Sequence, residues 1–525
     1  MIKRRNFLKA SILGGSGALL SPQVYSQQSG GLLTVVYTVE TNAVFAPGGG
    51  GGNPLLVSTK VLERLVRLEE NGSFSPQLAE RWETSKDLKN FTFHLRRNAA
   101  WHDGKPFTAA DAVFNVLSHW KAFSGNPALR SIATARALDD HTLVIGYDKP
   151  MPLFLVLASV GGSEGQVIPR HIYDGSDIRT NPANSNPIGT GPFRFKEWRR
   201  GSHVELVKNP NYWEAGKPYL DGIVIRYLQD PAARAAAFEA GEILLGLSSP
   251  FSAADLERIP RDSRFVATDA GGLQEYMALE MNTRHSVLRD RRVRQAIAYA
   301  INRKFVIDTL MNGFGVQAKG TVAPIYKNFY NDKAPDYAYD PARAEALLDE
   351  AGQRRQGGGP RFTLKLVIGP WYPENIRMGP YLKQALEQVG IAVDLQTPDR
   401  AGAIRQIYTD YDFHLSISNN VSYADPLMRS TMVYTTDNIT KTPFRNASGY
   451  SNPALDNLVS SASVETDATK RRAMLDDVQR IAAEDVPVLV IAFKRNMTIA
   501  SKSVKNHSLR PEWMYDSWKD VWLQR

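Results

Sequence analysis

The sequence predicts an α/β protein that is divided into several domains. The chain has 525 residues, which is more than a single hydrophobic core usually organises. Apolar residues make up 43% of the chain and charged residues 22%, the proportions of an ordinary soluble globular protein. Between residues 362 and 418, short strand-like and helix-like patterns alternate. This alternation is typical of a largely parallel sheet covered by helices.

The first 26 residues are typical of an export signal. Their charged side chains are all basic, namely Lys3, Arg4, Arg5 and Lys9. An apolar stretch follows at 10–20, and it is too short to span a bilayer, which takes roughly 20 apolar residues. The arginine pair before Asn6 and Phe7 resembles a twin-arginine signal, and we expect cleavage after Ser26. Because serine or threonine usually stands where Lys3 does, export by the Sec route is the alternative.

The export signal predicts a mature protein in the periplasm. No later segment of the sequence reaches about 18 consecutive apolar residues, so we expect a protein that is not embedded in a membrane. The chain has no cysteine, which excludes disulfides, thiolate metal sites and cysteine nucleophiles. For the same reason we expect no lipid anchor at the cleavage point.

Neither charge nor motifs indicate catalysis or nucleic-acid binding. The formal net charge is +9, and the basic stripe typical of nucleic-acid binders is not apparent. No two of the nine histidines lie within four residues of each other, so helical pairs of metal ligands are absent. His102 and Asp103 could belong to a catalytic triad, but the following Gly104 favours a hairpin turn. We therefore predict no catalytic residue, no metal and no cofactor.

Local patterns predict several elements in order along the chain. The five glycines at 48–52 indicate a flexible loop, without the lysine of a phosphate loop. Thr108, with Asp111 three positions later, predicts a capping box at the start of a helix. Strands are predicted, from apolar–polar alternation or from an apolar run, at 91–95, 193–195, 204–206 and 223–227.

Three predicted helices start in the same way, with a capping residue followed by proline at the first helical position. The pairs are Asp230 with Pro231, Asp340 with Pro341, and Asn452 with Pro453. The first two helices are expected to end at Gly241 and Gly352, which suit the left-handed residue after a helix. A further helix is predicted over 292–310, where apolar residues recur at helical spacing.

The stretch 362–418 predicts the candidate binding site. Strands are expected at 362–368, 391–395 and 413–418, and helices at 375–389 and 401–409. Parallel open sheets bind ligands at the carboxyl ends of their strands. The loops that follow the first and third strands carry aromatic, amide, hydroxyl and carboxylate groups. The candidate ligand-binding residues are Trp371, Tyr372, Asn419, Asn420, Ser422, Tyr423 and Asp425.

Three of these candidates have an equally plausible structural interpretation. Asp425 precedes a proline and fits a helix cap or a turn as well as a charge contact with a solute. Trp371 and Tyr423 fit core packing as well as stacking on a ligand. His414 lies within the third predicted strand, so we do not expect it to bind nickel.

Several sequence blocks in one order resemble the extracellular solute-binding protein family 5, which comprises periplasmic peptide, oligopeptide and nickel receptors of ABC importers. The resemblance runs from about residue 61 to the C-terminus. The blocks lie at 62–82, 91–112 (with His102-Asp103-Gly104), 187–193 (Pro187-Ile-Gly-Thr-Gly191), 209–213 (Asn209 to Trp213), 281–297, 339–341 and 450–456.

The resemblance implies two lobes joined by a hinge, the Venus-flytrap fold of periplasmic binding proteins, with an extra domain inserted near the N-terminus. A solute would be enclosed between the lobes, and the closed receptor would dock on permease subunits that work with ATPases. We expect a monomer that takes a small-molecule or peptide solute and no nucleic acid. The expected domains are a base lobe at 27–62, 188–278 and 494–525, an inserted domain at 63–187, and a second lobe at 279–493.

Two departures from the family pattern bear on the solute. Dipeptide-binding members have an arginine, which anchors a carboxylate, where this chain has Gly369, and an aspartate, which holds an amino group, where it has Ser422. Since both ionic clamps are missing, the comparison favours a neutral or bulkier solute, such as a longer peptide, a blocked peptide or a glycoside. The alternatives are a receptor for an opine-like or other non-peptide solute, a peptide-binding chaperone or signalling receptor, and an exported hydrolase.

Overall fold

The computed structural model describes residues 28–525, apart from 39, 42, 48–51, 70–71, 125, 269–274, 356 and 508–512. The expected export signal and most of the five-glycine run therefore lie outside the described residues. Within the described part, none of the helices combines the length and the apolarity that crossing a bilayer requires.

The first lobe is built on a seven-stranded sheet. Its central strand, Leu32–Tyr37, is mostly buried and runs parallel to both neighbours, whereas the other pairs are antiparallel. In spatial order the strands are Phe265–Thr268, Thr498–Ser501, Leu245–Gly246, Leu32–Tyr37, Gly222–Tyr227, His203–Lys208 and Phe193–Arg199. The α-helices of this lobe are Gly52–Val61, Arg170–Tyr173, Pro231–Glu239 and Ala253–Arg258. Near the C-terminus, Val504–Lys505 pairs with Trp522–Leu523.

The second lobe is built on a six-stranded sheet. In spatial order the strands are Gly315–Val316, Val488–Lys494, Glu275–Met281, Leu415–Val421, Phe362–Ile368 and Ile391–Gln396. The last three run parallel to one another, as the strand–helix alternation predicts, and the other pairs are antiparallel, so the sheet as a whole is mixed. Its α-helices are Arg291–Ala300, Arg303–Phe305, Pro341–Glu350, Pro373–Gln388, Arg400–Ile404, Pro453–Val464 and Ala468–Asp485.

Between two strands of the first sheet, the chain forms a smaller unit with a four-stranded antiparallel sheet. The strands are, in spatial order, Ala79–Thr84, Asn90–Leu95, Thr142–Tyr147 and Ile132–Asp139. Its α-helices are Ala109–Phe114, Lys121–Phe123, Pro127–Arg130 and Leu153–Val160, and a small hairpin joins Val66–Leu68 to Phe74–Pro76. The core of this unit continues into the second lobe, because Leu155 and Leu427 belong to one buried apolar cluster.

The helix starts predicted from capping residues are confirmed. Thr108 and Asp111 form the capping box, and the side chains of Asp230, Asp340 and Asn452 accept hydrogen bonds from the first turn of their helices. Gly241 and Gly352 both adopt a φ of 79° just after the helices that they end. A left-handed residue there bonds the last free carbonyl groups of a helix.

Two element predictions are wrong in their limits. The helix expected over 292–310 ends at Ala300, because Asn302 starts a second helix and accepts a hydrogen bond from the Phe305 nitrogen at 2.9 Å. The strand expected to end at 418 extends as Leu415–Val421, since Glu275–Met281 pairs with it along its whole length. Asn419 and Asn420 therefore lie in a strand and not in a loop.

The chain crosses between the two lobes at two adjacent places. Thr268 pairs with Thr498 in the first sheet, and Tyr276 pairs with Phe493 in the second sheet. Two neighbouring connections of this kind are what a hinge needs. The strand Glu275–Met281 lies entirely in the second sheet. The boundary that we expect between the base lobe and the second lobe, after residue 278, therefore falls inside a strand. The other expected domain limits stay a prediction.

Candidate ligand-binding cleft

A cavity of about 880 Å³ lies between the two lobes. This volume suits a small molecule or a short peptide. Residues of the first lobe on its wall include Tyr37, Thr38, Ser248, Ser249 and Phe251, and residues of the second lobe include Glu275, Trp371, Tyr372, Glu374 and Lys494. Since Glu275 and Lys494 lie at the ends of the two strands that lead to the first lobe, the cavity lies beside the crossing connections.

An ion network lies at the base of this cleft. The Nζ atom of Lys494 lies 2.7 Å from Oε1 of Glu374 and 3.3 Å from Oε1 of Glu275. It also lies 3.2 Å from the centre of the Tyr372 ring, in the geometry of a cation–π contact. The side chain of Lys494 is only 7% exposed, so the two carboxylates compensate a nearly buried positive charge.

Tyrosine hydroxyl groups near this network stay protonated. Burial, together with the negative charge of Glu275, raises the pKa of Tyr37 to about 12. Burial also raises the pKa of Tyr515 well above its usual value, with further contributions from Tyr37 and Glu275. A protonated tyrosine can donate a hydrogen bond, and Tyr37 lines the cavity, so it offers a donor to a polar solute.

Trp371 lies against the backbone of Gly369. Its indole nitrogen donates a hydrogen bond to the Ile417 carbonyl oxygen at 3.2 Å, and its ring contacts Phe444 edge-on at 5.5 Å between ring centres. A Cβ atom at Gly369 would overlap the indole ring. Glycine at this position therefore allows Trp371 to line the cleft, and a larger residue cannot occupy the same place while the indole stays where it is.

Two of the seven candidate residues, Trp371 and Tyr372, line the cavity. Asn419 accepts a hydrogen bond from the Asn375 amide at 2.6 Å, and Asn420 is buried in the same strand. The Ser422 hydroxyl is fully buried, accepts a hydrogen bond from the Ala323 nitrogen at 3.0 Å and lies 3.1 Å from the Ser430 hydroxyl. Asn419 and Ser422 thus join segments of the second lobe.

Tyr423 and Asp425 lie on the side of the inserted unit. Tyr423 lines a small separate pocket with Asn126 and Glu164. Asp425 is fully buried, forms an ion pair with Arg471 at 2.7 Å, and accepts a hydrogen bond from the Leu427 nitrogen at 3.0 Å. Asp425 is therefore a cap residue, which is the structural one of its two interpretations. Its carboxylate is bound by Arg471 of the protein itself.

Several residues of the cleft were not among the sequence candidates. They are Tyr37, Ser248, Glu275, Arg377, Arg400 and Lys494. A signal existed for two of them, because Tyr37 and Lys494 each end a strand that is apolar along most of its length. No local pattern marks the others, which reach the cleft only through the packing of distant segments.

His102 and Asp103 bond to different partners and do not form the histidine–aspartate pair of a catalytic triad. The His102 ring accepts a hydrogen bond from the Gly189 nitrogen at 3.3 Å and lies 3.0 Å from the Gly191 carbonyl oxygen. Burial lowers the pKa of His102 to about 4, so the ring is neutral at physiological pH. Asp103 contacts His171 at 2.7 Å instead. His102 therefore holds the backbone of the glycine-containing segment.

The described part of the chain contains one group of three side chains with metal-ligand geometry. The ligand atoms of Glu197, His203 and Glu205 lie within 4.8 Å of one another. They stand on a hairpin of the first sheet, where Lys196 already contacts Glu205 at 2.8 Å. None of them lines the cleft between the lobes.

A cleft between two α/β lobes with two adjacent crossing connections defines a two-lobed binding protein. The family model of bacterial extracellular solute-binding proteins, family 5 (middle), matches residues 73–441. The chain belongs to this family, which confirms the resemblance seen in the sequence and its two-lobed fold.

The dipeptide-binding protein of Escherichia coli (strain K12) is 27% identical over 471 residues, covering 83% of this chain and 84% of that protein. Heme-binding protein A of Haemophilus influenzae is 28% identical over 88% of this chain and 87% of that protein. The periplasmic binding protein DppA from Helicobacter pylori, solved in complex with the peptide STSA, has a TM-score of 0.79 at 22% identity. It covers 95% of this chain and 99% of that structure.

Proposed function

We propose that the protein is the solute receptor of an ABC importer and that it takes a peptide or peptide-like solute into the cleft between its lobes. The cavity of about 880 Å³ with walls from both lobes is the observation that carries this proposal. A solute that contacts both walls binds the closed arrangement better than the open one, and this difference in affinity drives closure. The permease then distinguishes a loaded receptor from an empty one.

The polar groups of the cleft support a peptide-like solute. Besides the tyrosines, the cavity offers amide and hydroxyl groups that can bind a peptide backbone, namely those of Asn53, Ser249, Asn312 and Asn496. Curated relatives that cover most of the chain are named as dipeptide-binding and di/tripeptide-binding proteins. In this proposal the receptor is exported by the twin-arginine route, acts as a monomer in the periplasm, and releases its solute chemically unchanged.

Incubation of the purified periplasmic protein with a mixture of di- to nonapeptides tests the proposal. We expect a rise in the melting temperature, peptides that mass spectrometry recovers intact, and a peptide retained in native mass spectra. Cleaved peptides would indicate a hydrolase instead, and the absence of any bound peptide would contradict the peptide class.

A pair of variants tests the location of the site. Trp371→Ala should weaken peptide binding at least about tenfold, because it removes an aromatic wall of the cavity. Tyr339→Ala is the matched control, since Tyr339 is 45% exposed and does not line the cavity. Equal dissociation constants for the two variants and the unmodified protein would place the site elsewhere.

A further inference from the structure

The charges of the cleft point to a more specific solute class. We propose that the solute carries a carboxylate, which Arg377 and Arg400 of the second lobe bind at the rim of the cavity. This inference rests on the proposed function, because it takes the cavity between the lobes as the solute site. A solute with a carboxylate differs from the neutral solute that the sequence favours, because Gly369 and Ser422 replace the two ionic clamps of dipeptide-binding members.

Cationic side chains outnumber carboxylates on the wall of the cavity. The charged residues there are Glu275, Glu374, Arg377, Arg400, Lys494 and Arg495. Lys494 lies within 3.3 Å of Glu275 and 2.7 Å of Glu374, so both carboxylates are already engaged by an ammonium group. The cavity therefore retains an excess of positive charge, which favours an anionic solute over a neutral one.

Arg377 and Arg400 lack acidic partners in the protein. In the described part of the chain, neither guanidinium forms an ion pair with an aspartate or a glutamate. Both side chains are exposed yet line the cavity. Other arginines on helices of the second lobe, such as Arg292 and Arg480, are paired with acids. Two unpaired guanidinium groups at one cavity are suited to a carboxylate, which they can bind through paired hydrogen bonds.

Trp371 lies next to both Gly369 and Arg400. The indole occupies the space next to Gly369, so a side chain at that position has no room. The guanidinium carbon of Arg400 lies 5.3 Å from the centre of the Trp371 ring, within the range of a cation–π contact. Arg377 follows on the helix Pro373–Gln388, which starts directly after Trp371 and Tyr372. The segment 371–377 thus provides an aromatic wall and one of the two arginines, and Arg400 lies against that wall from a separate helix.

Titration calorimetry with matched probes tests the inference. The probes are tetra-alanine with a free C-terminal carboxylate, tetra-alanine amide, the amide of Ala-Glu-Ala-Ala, and glutarate as a non-peptide acid. We expect tetra-alanine to bind at least about tenfold more tightly than its amide. Strong binding of the glutamate-containing amide would assign the carboxylate to a side chain, and binding of glutarate alone would keep this inference while contradicting the peptide class.

Arginine variants locate the interaction. Arg377→Gln and Arg400→Gln should each weaken binding of the tightest acidic probe at least about tenfold and reduce the difference between acid and amide. Lys383→Gln is the matched control, because Lys383 is exposed on the same helix and lies outside the cavity. The melting temperatures without solute should stay unchanged, since all three side chains are exposed.

Three results would overturn the inference. They are an affinity for tetra-alanine amide that equals those for both tetra-alanine and the glutamate-containing amide, an acid preference that survives in both arginine variants, and no binding of any acidic probe. Equal affinities would leave the proposed peptide receptor intact, whereas binding of glutarate without any peptide would remove the peptide class and keep the carboxylate site. The failures of the two proposals are therefore distinguishable.

Discussion

Asp425 and Arg471 form an ion pair in which both side chains are almost completely buried, at 0% and 5% exposure. Arg471 also donates a hydrogen bond to the Ala462 carbonyl oxygen at 2.9 Å, and Asp425 caps the turn Pro426–Met428. The pair joins the segment after the strand Leu415–Val421 to the helix Ala468–Asp485. It therefore holds the turn that contacts the inserted unit.

Removing one member of this pair should destabilise the protein. In Asp425→Ala, the Arg471 guanidinium stays buried without its counter-ion, which costs about 3–5 kcal/mol. Urea unfolding should show this loss, whereas the control Glu484→Ala, which breaks an exposed pair with Arg480, should cost at most about 1 kcal/mol. Unchanged stability together with a large loss of solute affinity would instead show that Asp425 is a ligand contact.

Gly369→Ala should displace the indole of Trp371. The added Cβ overlaps the ring, so the hydrogen bond to Ile417 is strained or lost and the free energy of unfolding falls by about 1–3 kcal/mol. Solute binding measured by calorimetry should weaken as well. Gly320→Ala is the control, because nothing lies within 4 Å of a Cβ at that position. Equal behaviour of both variants would show that the cleft tolerates a shift of the indole.

Glu280 should make stability depend on pH. This residue is 1% exposed, and burial raises its pKa from 4.5 to about 7. Between these two values the folded protein binds more protons than the unfolded chain, so stability falls as the pH rises from about 4.5 to about 7. Glu280→Gln should remove this dependence and stabilise the protein at pH 8 by on the order of 3 kcal/mol.

The measurement for Glu280 is urea unfolding at pH 5 and pH 8. Glu387→Gln serves as the control, because Glu387 is 47% exposed on the helix Pro373–Gln388. If the two variants show the same pH dependence as the unmodified protein, the Glu280 carboxyl group is not the source of it.

Leu427 should stabilise the contact between the inserted unit and the second lobe. It is 5% exposed and belongs to the apolar cluster that also contains Met151 and Leu155 of the inserted unit. Leu427→Ala should lower the free energy of unfolding by about 2–5 kcal/mol, because it leaves a cavity in this cluster. Leu138→Ala, at a side chain that is 57% exposed, should be nearly neutral in the same urea experiment. A cost below about 1 kcal/mol for Leu427→Ala would show that the contact contributes little.

The sequence by itself determined the family, the three parallel strands of the second lobe and the helix starts. Capping residues such as Asp340 and Asn452 act within one helical turn, and the strand Phe362–Ile368 is marked by its own apolar residues. Interactions of this range can be predicted without knowledge of the rest of the chain. Trp371 and Tyr372 were found because a loop after a parallel strand has a known location.

Only the tertiary structure decided the extent of Leu415–Val421, the role of Asp425 and the charge of the cleft. The strand extends because Glu275–Met281, far away in sequence, satisfies its backbone hydrogen bonds. Asp425 is neutralised by Arg471, which lies 46 positions later. Lys494 and Arg400 reach one cavity from separate segments. Hydrogen bonds and ion pairs between distant segments leave no periodic pattern in the sequence, and their partners become known only when the chain is folded.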